Sequence, residues 1–205
     1  MNKGKLYIVS APSGAGKTSL VKQLVTDLEQ ISVSVSHTTR VMRDTECHGK
    51  DYFFISVSDY KEMIAKQAFL ENAQVFDNFY GTARKSVETT LDKGVDVVLE
   101  IDWQGAQQVR KMLPESISIF ILPPSISILQ QRLEGRGQDS IETIERRMND
   151  AIDEMKHYKE FDYIIVNNDF NKALTEIKSI VISQRLVKNR QLKVLKSFLN
   201  KLIYQ

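Results

Sequence analysis

Apolar and polar positions along the chain switch between two periods, and the switches outline a fold. Leu6 to Ala11 is a short β-prone run stopped by a Pro/Gly loop. Apolar residues at 20, 21, 24, 25 and 28 then give helical spacing over Lys17 to Glu29. Ile31 to Ser36 alternates apolar residues with serine, as a strand does. From 37 to 94 the simple strand–helix alternation lapses: runs at 52–56, 69–76 and 79–81 predict short strands, and 59–68 and 85–93 predict helices. Phe and Tyr concentrate there, so the stretch reads as an inserted small mixed α/β subdomain with its own core. Alternation resumes at Val95 to Ile101, whose nearly continuous apolar character marks a buried parallel strand. Helix 104–112, strand 117–122, helices 125–133 and 140–158 around a polar loop at 134–139, strand 163–166 and helix 171–186 follow. Strands alternating with helices predict an α/β fold, a three-layer parallel sheet with helices on both faces. The expected organisation is one domain over 4–185: a core at 4–36 and 95–185, the insertion at 37–94, a helical lid at 125–158, and a tail at 186–205.

Composition changes this picture little. Of 205 residues, 42% are hydrophobic and 26% charged, values of a globular chain that exclude disordered and fibrous classes. The single Cys47 cannot form an internal disulfide, which points to a reducing, cytoplasmic setting. No apolar run approaches the ~20 residues of a membrane span, and Leu6 to Ala11 is too short for a secretory leader. Charge is uneven: 28 basic residues face 26 acidic ones, yet from Arg185 onward there are six bases and no acid. The remainder is therefore mildly acidic, and the basic balance implies no nucleic acid partner. Apolar residues at 192, 195, 199 and 202 give the tail a helical stripe with a basic opposite face. It reads as a terminal helix packing on the core or on a second copy of the chain, a route to a homo-oligomer, in preference to a membrane or nucleic acid contact. His37, His48 and His157 share no metal-ligand spacing with Cys47, and no zinc is expected.

The chemistry concentrates between the first strand and the first helix. Ala11, Pro12, Ser13, Gly14, Ala15, Gly16, Lys17 and Thr18, followed by Ser19, fit a phosphate-binding loop in which Ala11 replaces the leading glycine. Gly14 and Gly16 let the backbone curl so that successive N–H groups form an anion nest, and the helix start adds its positive dipole end. Lys17 can reach β/γ oxygens, and Thr18 offers a hydroxyl to Mg²⁺. This implies a nucleoside triphosphate site without saying what accepts the phosphoryl group. Asp102-Trp-Gln-Gly105 superficially matches the DxxG element of GTP-hydrolysing switches, but Asn167-Asn-Asp169 lacks the lysine and spacing of their guanine-reading element. Arginines favour another reading. Arg40 and Arg43, with the phenols of Tyr52 and Tyr80, form a natural clamp for a phosphate monoester. Arg132, Arg146 and Arg147 flank the Gly135-Arg136-Gly137 segment, and the cluster of four arginines is able to close over a triphosphate. Together they point to phosphoryl transfer between two nucleotides.

The stretches SAPSGAGKTSL, SHTTR, HGKDYFF, FLENAQVF, FYGT, EIDWQGAQQVR, IFILPPS, RLEGRGQDS and YIIVNND resemble the guanylate kinase family in order and spacing. The resemblance implies a P-loop NTPase fold and transfer of the γ-phosphoryl of ATP to GMP, and by extension dGMP, within purine nucleotide metabolism, with Mg²⁺ accompanying ATP. It further implies that Ser36, Glu71, Thr82 and Asp102 surround guanine. Arg40, Arg43, Tyr52 and Tyr80 would hold the GMP phosphate. Lys17, Arg132, Arg136 and Arg147 would surround the transferred group, with Asn167 near the adenine side. Met42, Asp44, Thr45, Phe79, Glu100 and Asn168 depart from the family's usual residues. Scaffold proteins built on the same fold are the alternative in which these residues have lost catalysis; they tend to lack loop or lid residues that are present here.

Overall fold

The computed structural model describes residues 3–75, 77–135 and 141–204, Ile141 by its backbone alone. In chain order these are β1 (Leu6–Ser10), α1 (Lys17–Asp27), β2 (Ile31–Val33), β3 (His37–Thr38), β4 (Phe53–Phe54), α2 (Val57–Ala65), β5 (Phe69–Val75), β6 (Asn78–Ala83) and α3 (Arg84–Asp92). They continue with β7 (Asp96–Glu100), α4 (Trp103–Met112), β8 (Ile117–Leu122), α5 (Ile126–Glu134), α6 (Ile141–Met155), a 3₁₀ turn (Lys156–Glu160), β9 (Tyr163–Val166) and α7 (Phe170–Leu186). The tail carries α8 (Lys188–Val194) and α9 (Lys196–Ile203), two short helices meeting at Leu195.

Five strands form a parallel sheet in the order β2-β7-β1-β8-β9. Alternate side chains of β1 leave by opposite faces, as the two-residue period of a strand requires. Tyr7 and Val9 join Val98, Ile119 and Ile121 under α1 and α7, while Leu6 and Ile8 join Leu99 and Phe120 under α3 and α4. Both faces are thus buried, which is why these strands read as continuous apolar runs. Although it lies within the expected insertion, α3 packs Val87 and Leu91 into this second core.

A second, mixed sheet runs β4-β3-β6-β5. Tyr60 of α2 anchors it: the ring stacks on Phe79 and tilts against Phe69, and its hydroxyl donates to the Tyr80 carbonyl at 2.7 Å. The Gln108 side chain of α4 exchanges two hydrogen bonds with the backbone of Asn72, tying the small sheet to the large one. Leu129, Leu133 and Ala151 make a separate small core between α5 and α6.

β1 connects through α1 to β2 at one edge, whereas its neighbour β7 connects through α4 to β8 on the other side of β1, so the connections diverge beside β1. The crevice outside the carboxyl ends of its strands is where ligands bind in such sheets. No described helix is long and apolar enough to cross a membrane.

Candidate functional site

A cleft of about 290 Å³ opens there, walled by the loop after β1, the residues ending β7, the small sheet and α6. Gly14 and Gly16 adopt left-handed φ values of 89° and 95°, closing the loop onto α1. Gly16 is required twice over, since a Cβ there would also lie 2.4 Å from the Asn167 amide nitrogen. Ala15 is fully buried, and its carbonyl accepts from Asn167 Nδ2 at 2.7 Å and Arg132 at 3.4 Å. Arg132 also donates to the Asn167 carbonyl at 3.0 Å. Asn167 and Arg132 therefore meet at the backbone of the phosphate loop. Lys17 Nζ donates to the Ile101 carbonyl at 3.2 Å, and the Thr18 hydroxyl donates to Glu100 Oε2 at 2.9 Å. A hydroxyl and a carboxylate at the mouth of an anion nest are hard oxygen donors suited to Mg²⁺ held jointly with phosphate and water.

On the opposite wall, Glu71 of β5 is only 3% exposed. Thr82 of β6 donates to its Oε1 at 2.5 Å and lies 3.2 Å from the Ser36 hydroxyl, so these three side chains form one chain of hydrogen-bonding groups. Burial pushes the Glu71 carboxyl up to about 7; Asp102 adds to that, and the Thr82 hydroxyl and Lys17 pull against it. Asp102 caps α4 by accepting the Gly105 N–H at 2.9 Å. Any Cβ on Gly105 would stand 2.6 Å from Glu71 Oε2. The DxxG pattern is accordingly a helix cap plus a cavity that admits Glu71.

Tyr52 and Tyr80 pack edge to face beside these residues, and the Arg40 guanidinium lies 5.6 Å from the Tyr52 ring. Glu46 holds Arg40 at 2.6 Å and the Arg43 N–H at 2.9 Å. The Arg43 side chain is 53% exposed, against 17% for Arg40. Arg147 is half-buried on α6, and Arg136 lies outside the described residues. From α6, Glu154 Oε2 accepts the Ser13 N–H at 3.2 Å. Trp103 stacks on His157 at 3.6 Å beside this wall.

Thus the structure gathers Ser36, Tyr52, Glu71, Tyr80 and Asp102 around one cleft with the loop residues Ala11 to Gly14 and Gly16 to Ser19. Glu46, Glu100, Gly105, Gln108 and Glu154 belong to its surroundings without having been assigned roles from sequence. Two of them carried a signal: Gly105 as the glycine of the DxxG pattern, and Glu100 as a departure from the family's usual residue near the end of a buried strand.

A guanylate kinase family model matches residues 3–184. The chain is 57% identical over 185 residues to the guanylate kinase of Shewanella denitrificans, covering 90% of this chain and 89% of that one. It is 56% identical over 193 residues to the guanylate kinase of Escherichia coli strain K12, covering 93% of each. Among solved structures, guanylate kinase from Anaplasma phagocytophilum superposes with a TM-score of 0.77 at 33% identity, covering 96% of both chains.

Proposed function

The chain belongs to the guanylate kinase family of ATP-dependent GMP kinases, and from that premise we propose how its cleft divides the reaction. The phosphate loop, Ala11 to Ser19, takes the ATP phosphates, with Lys17 on the β/γ oxygens. Thr18 and Glu100 hold Mg²⁺, which when bound neutralises phosphate charge. Asn167 and Arg132 act on ATP through the Ala15 carbonyl, and Arg132, Arg136 and Arg147 bring positive charge from the lid over 125–158. Glu71 accepts the N1–H and N2–H₂ donors of guanine, Thr82 and Ser36 serve its O6, and Asp102 adds a second acceptor. Arg40, Arg43, Tyr52 and Tyr80 hold the GMP phosphate; Glu46 orients the two arginines. These residues lie in the insertion, 37–94, or at its edge.

The transfer needs no general base. A GMP phosphate oxygen, already ionised near neutral pH, forms a bond to the γ-phosphorus as the bond to the β,γ-bridging oxygen breaks, leaving ADP and GDP. No assigned residue depends on the ribose 2′ hydroxyl, and we propose dGMP as a further acceptor. The reaction belongs to purine nucleotide metabolism, including GMP recycling, in the cytoplasm.

The observation that carries the reading is a buried carboxylate across one cleft from a phosphate loop. Adenine has no N1–H, and against AMP the buried Glu71 would keep its bond from Thr82 but lack the donors that guanine supplies, a shortfall that can discriminate by about 10⁴-fold. A coupled assay with ATP plus GMP, dGMP, AMP, UMP or CMP tests it. Turnover with GMP and dGMP alone is expected; equal turnover with AMP, or ATP hydrolysis without any monophosphate, would overturn it.

A further inference from the structure

Glu154 sits near the C-terminal end of α6, yet its carboxylate reaches into the phosphate loop to accept the Ser13 N–H and lines the same cleft as Lys17 and Thr18. Ser13 is part of the nest whose N–H groups suit an anion. A carboxylate is therefore bound where nucleotide phosphates seek donors. Its charged surroundings are mixed. Lys17 faces it from the loop, Asp102 from the start of α4 and Asp150 from its own helix; Arg146, Asp153 and His157 share an adjoining hollow with it.

Resting on the assignment of the phosphate loop to ATP, we propose that Glu154 is a proton-coupled partner of the bound triphosphate, which is accommodated with this side chain in its neutral form. An ionised Glu154 and a triphosphate would compete for Ser13 N–H and for Lys17 while repelling each other. Taking up one proton removes the repulsion, and the carboxylic acid then has an O–H to give to a phosphate oxygen while its carbonyl still accepts from Ser13. Burial already pushes this carboxyl up to about 7, Asp102 and Asp150 raise it too, and Lys17 and the Ser13 N–H oppose. The ionised form thus dominates above neutral pH, and the added charge of ATP raises the group further. Proton uptake follows, and the affinity for ATP falls as pH rises above about 7.

Calorimetric titration of MgATP into the intact protein at about pH 7.5, in buffers of different ionisation enthalpy, counts the protons exchanged. The wild type is expected to take up a larger fraction of a proton than Glu154→Gln, whose amide imitates the neutral acid. Its ATP affinity is expected to fall roughly threefold or more between about pH 7 and 9 relative to that variant. Glu154→Ala, which has no group to titrate, gives the same proton count as the glutamine variant and replaces it if that protein fails to fold. Equal proton counts and parallel pH profiles in wild type and variants would overturn the proposal while leaving the ATP site intact. Absence of ATP binding in every protein would overturn the phosphate-loop assignment itself, and this proposal with it.

Discussion

Glu71 depends on atoms supplied by residues far away in sequence: the Thr82 hydroxyl bonds it, Asp102 disfavours its charge, and Gly105 leaves it room. Because its carboxyl is raised to about 7, the acceptor needed for guanine is fully ionised only above neutral pH. Affinity for GMP should therefore decline as pH falls through about 7, beyond the change expected from the GMP phosphate itself, and Glu71→Gln should remove that excess in calorimetry. Gly105→Ala places a methyl 2.6 Å from Glu71 Oε2. We expect it to raise KM for GMP at least about tenfold, equivalent to about 1.4 kcal/mol, with KM for ATP little changed; parallel losses in both would point to general unfolding. Lys17→Met should keep the fold, seen as an unshifted circular dichroism spectrum, and lower turnover by orders of magnitude. The glycines and lysine of the loop were legible because backbone curl and anion binding restrict which residue types can serve. The supporting roles of Glu46, Gln108 and Glu154 were not, since polar residues in helices and loops show no period, and their partners are distant in sequence or set by the fold.

Long elements followed their periodicity closely: β8 and β9 match the expected spans, and α7 begins one residue earlier than read. Departures arise where hydrogen bonds outrank pattern. The strand read over Ile31–Ser36 ends at Val33, although Ser34 still donates to the Val98 carbonyl. The helix read to Tyr158 ends at Met155 and tightens into a 3₁₀ turn, where His157 engages Glu160 and stacks on Trp103. β3 is two residues long, too short to express any alternation, yet it joins β4 to β6. Between elements, the end of β9 and α5 grip the phosphate loop through Ala15. Asn167→Ala removes the shorter of the two side-chain bonds to that carbonyl and should cost about 1–3 kcal/mol of stability. Weakened ATP binding with GMP binding retained is the expected calorimetric signature.

Across the whole molecule, two sheets contribute opposite walls, an arrangement foreshadowed by the aromatic-rich interruption between otherwise regular strands and helices. The tail is tied back by one buried acid: Asp96, fully buried on β7, accepts from the Lys5 N–H, from Arg185 at 2.9 Å and from Arg190 at 2.8 Å. The sequence displayed the six basic residues there without revealing that two of them share an interior carboxylate. Truncation after Val187 removes Arg190 and should lower stability by about 1–2 kcal/mol after allowance for solvent around the partly exposed guanidinium. That corresponds to a melting temperature lower by roughly 2–8 °C, with kcat unchanged; its native mass will also report whether the apolar tail residues join copies of the chain. Two nucleotides held independently across one gap remain the premise of the predictions about binding and turnover. Calorimetric titration of GMP into folded protein without ATP examines it most directly: one-to-one binding in the wild type, kept by Lys17→Met and lost by Glu71→Ala, is the expected result, whereas no binding of GMP to the wild type would contradict it.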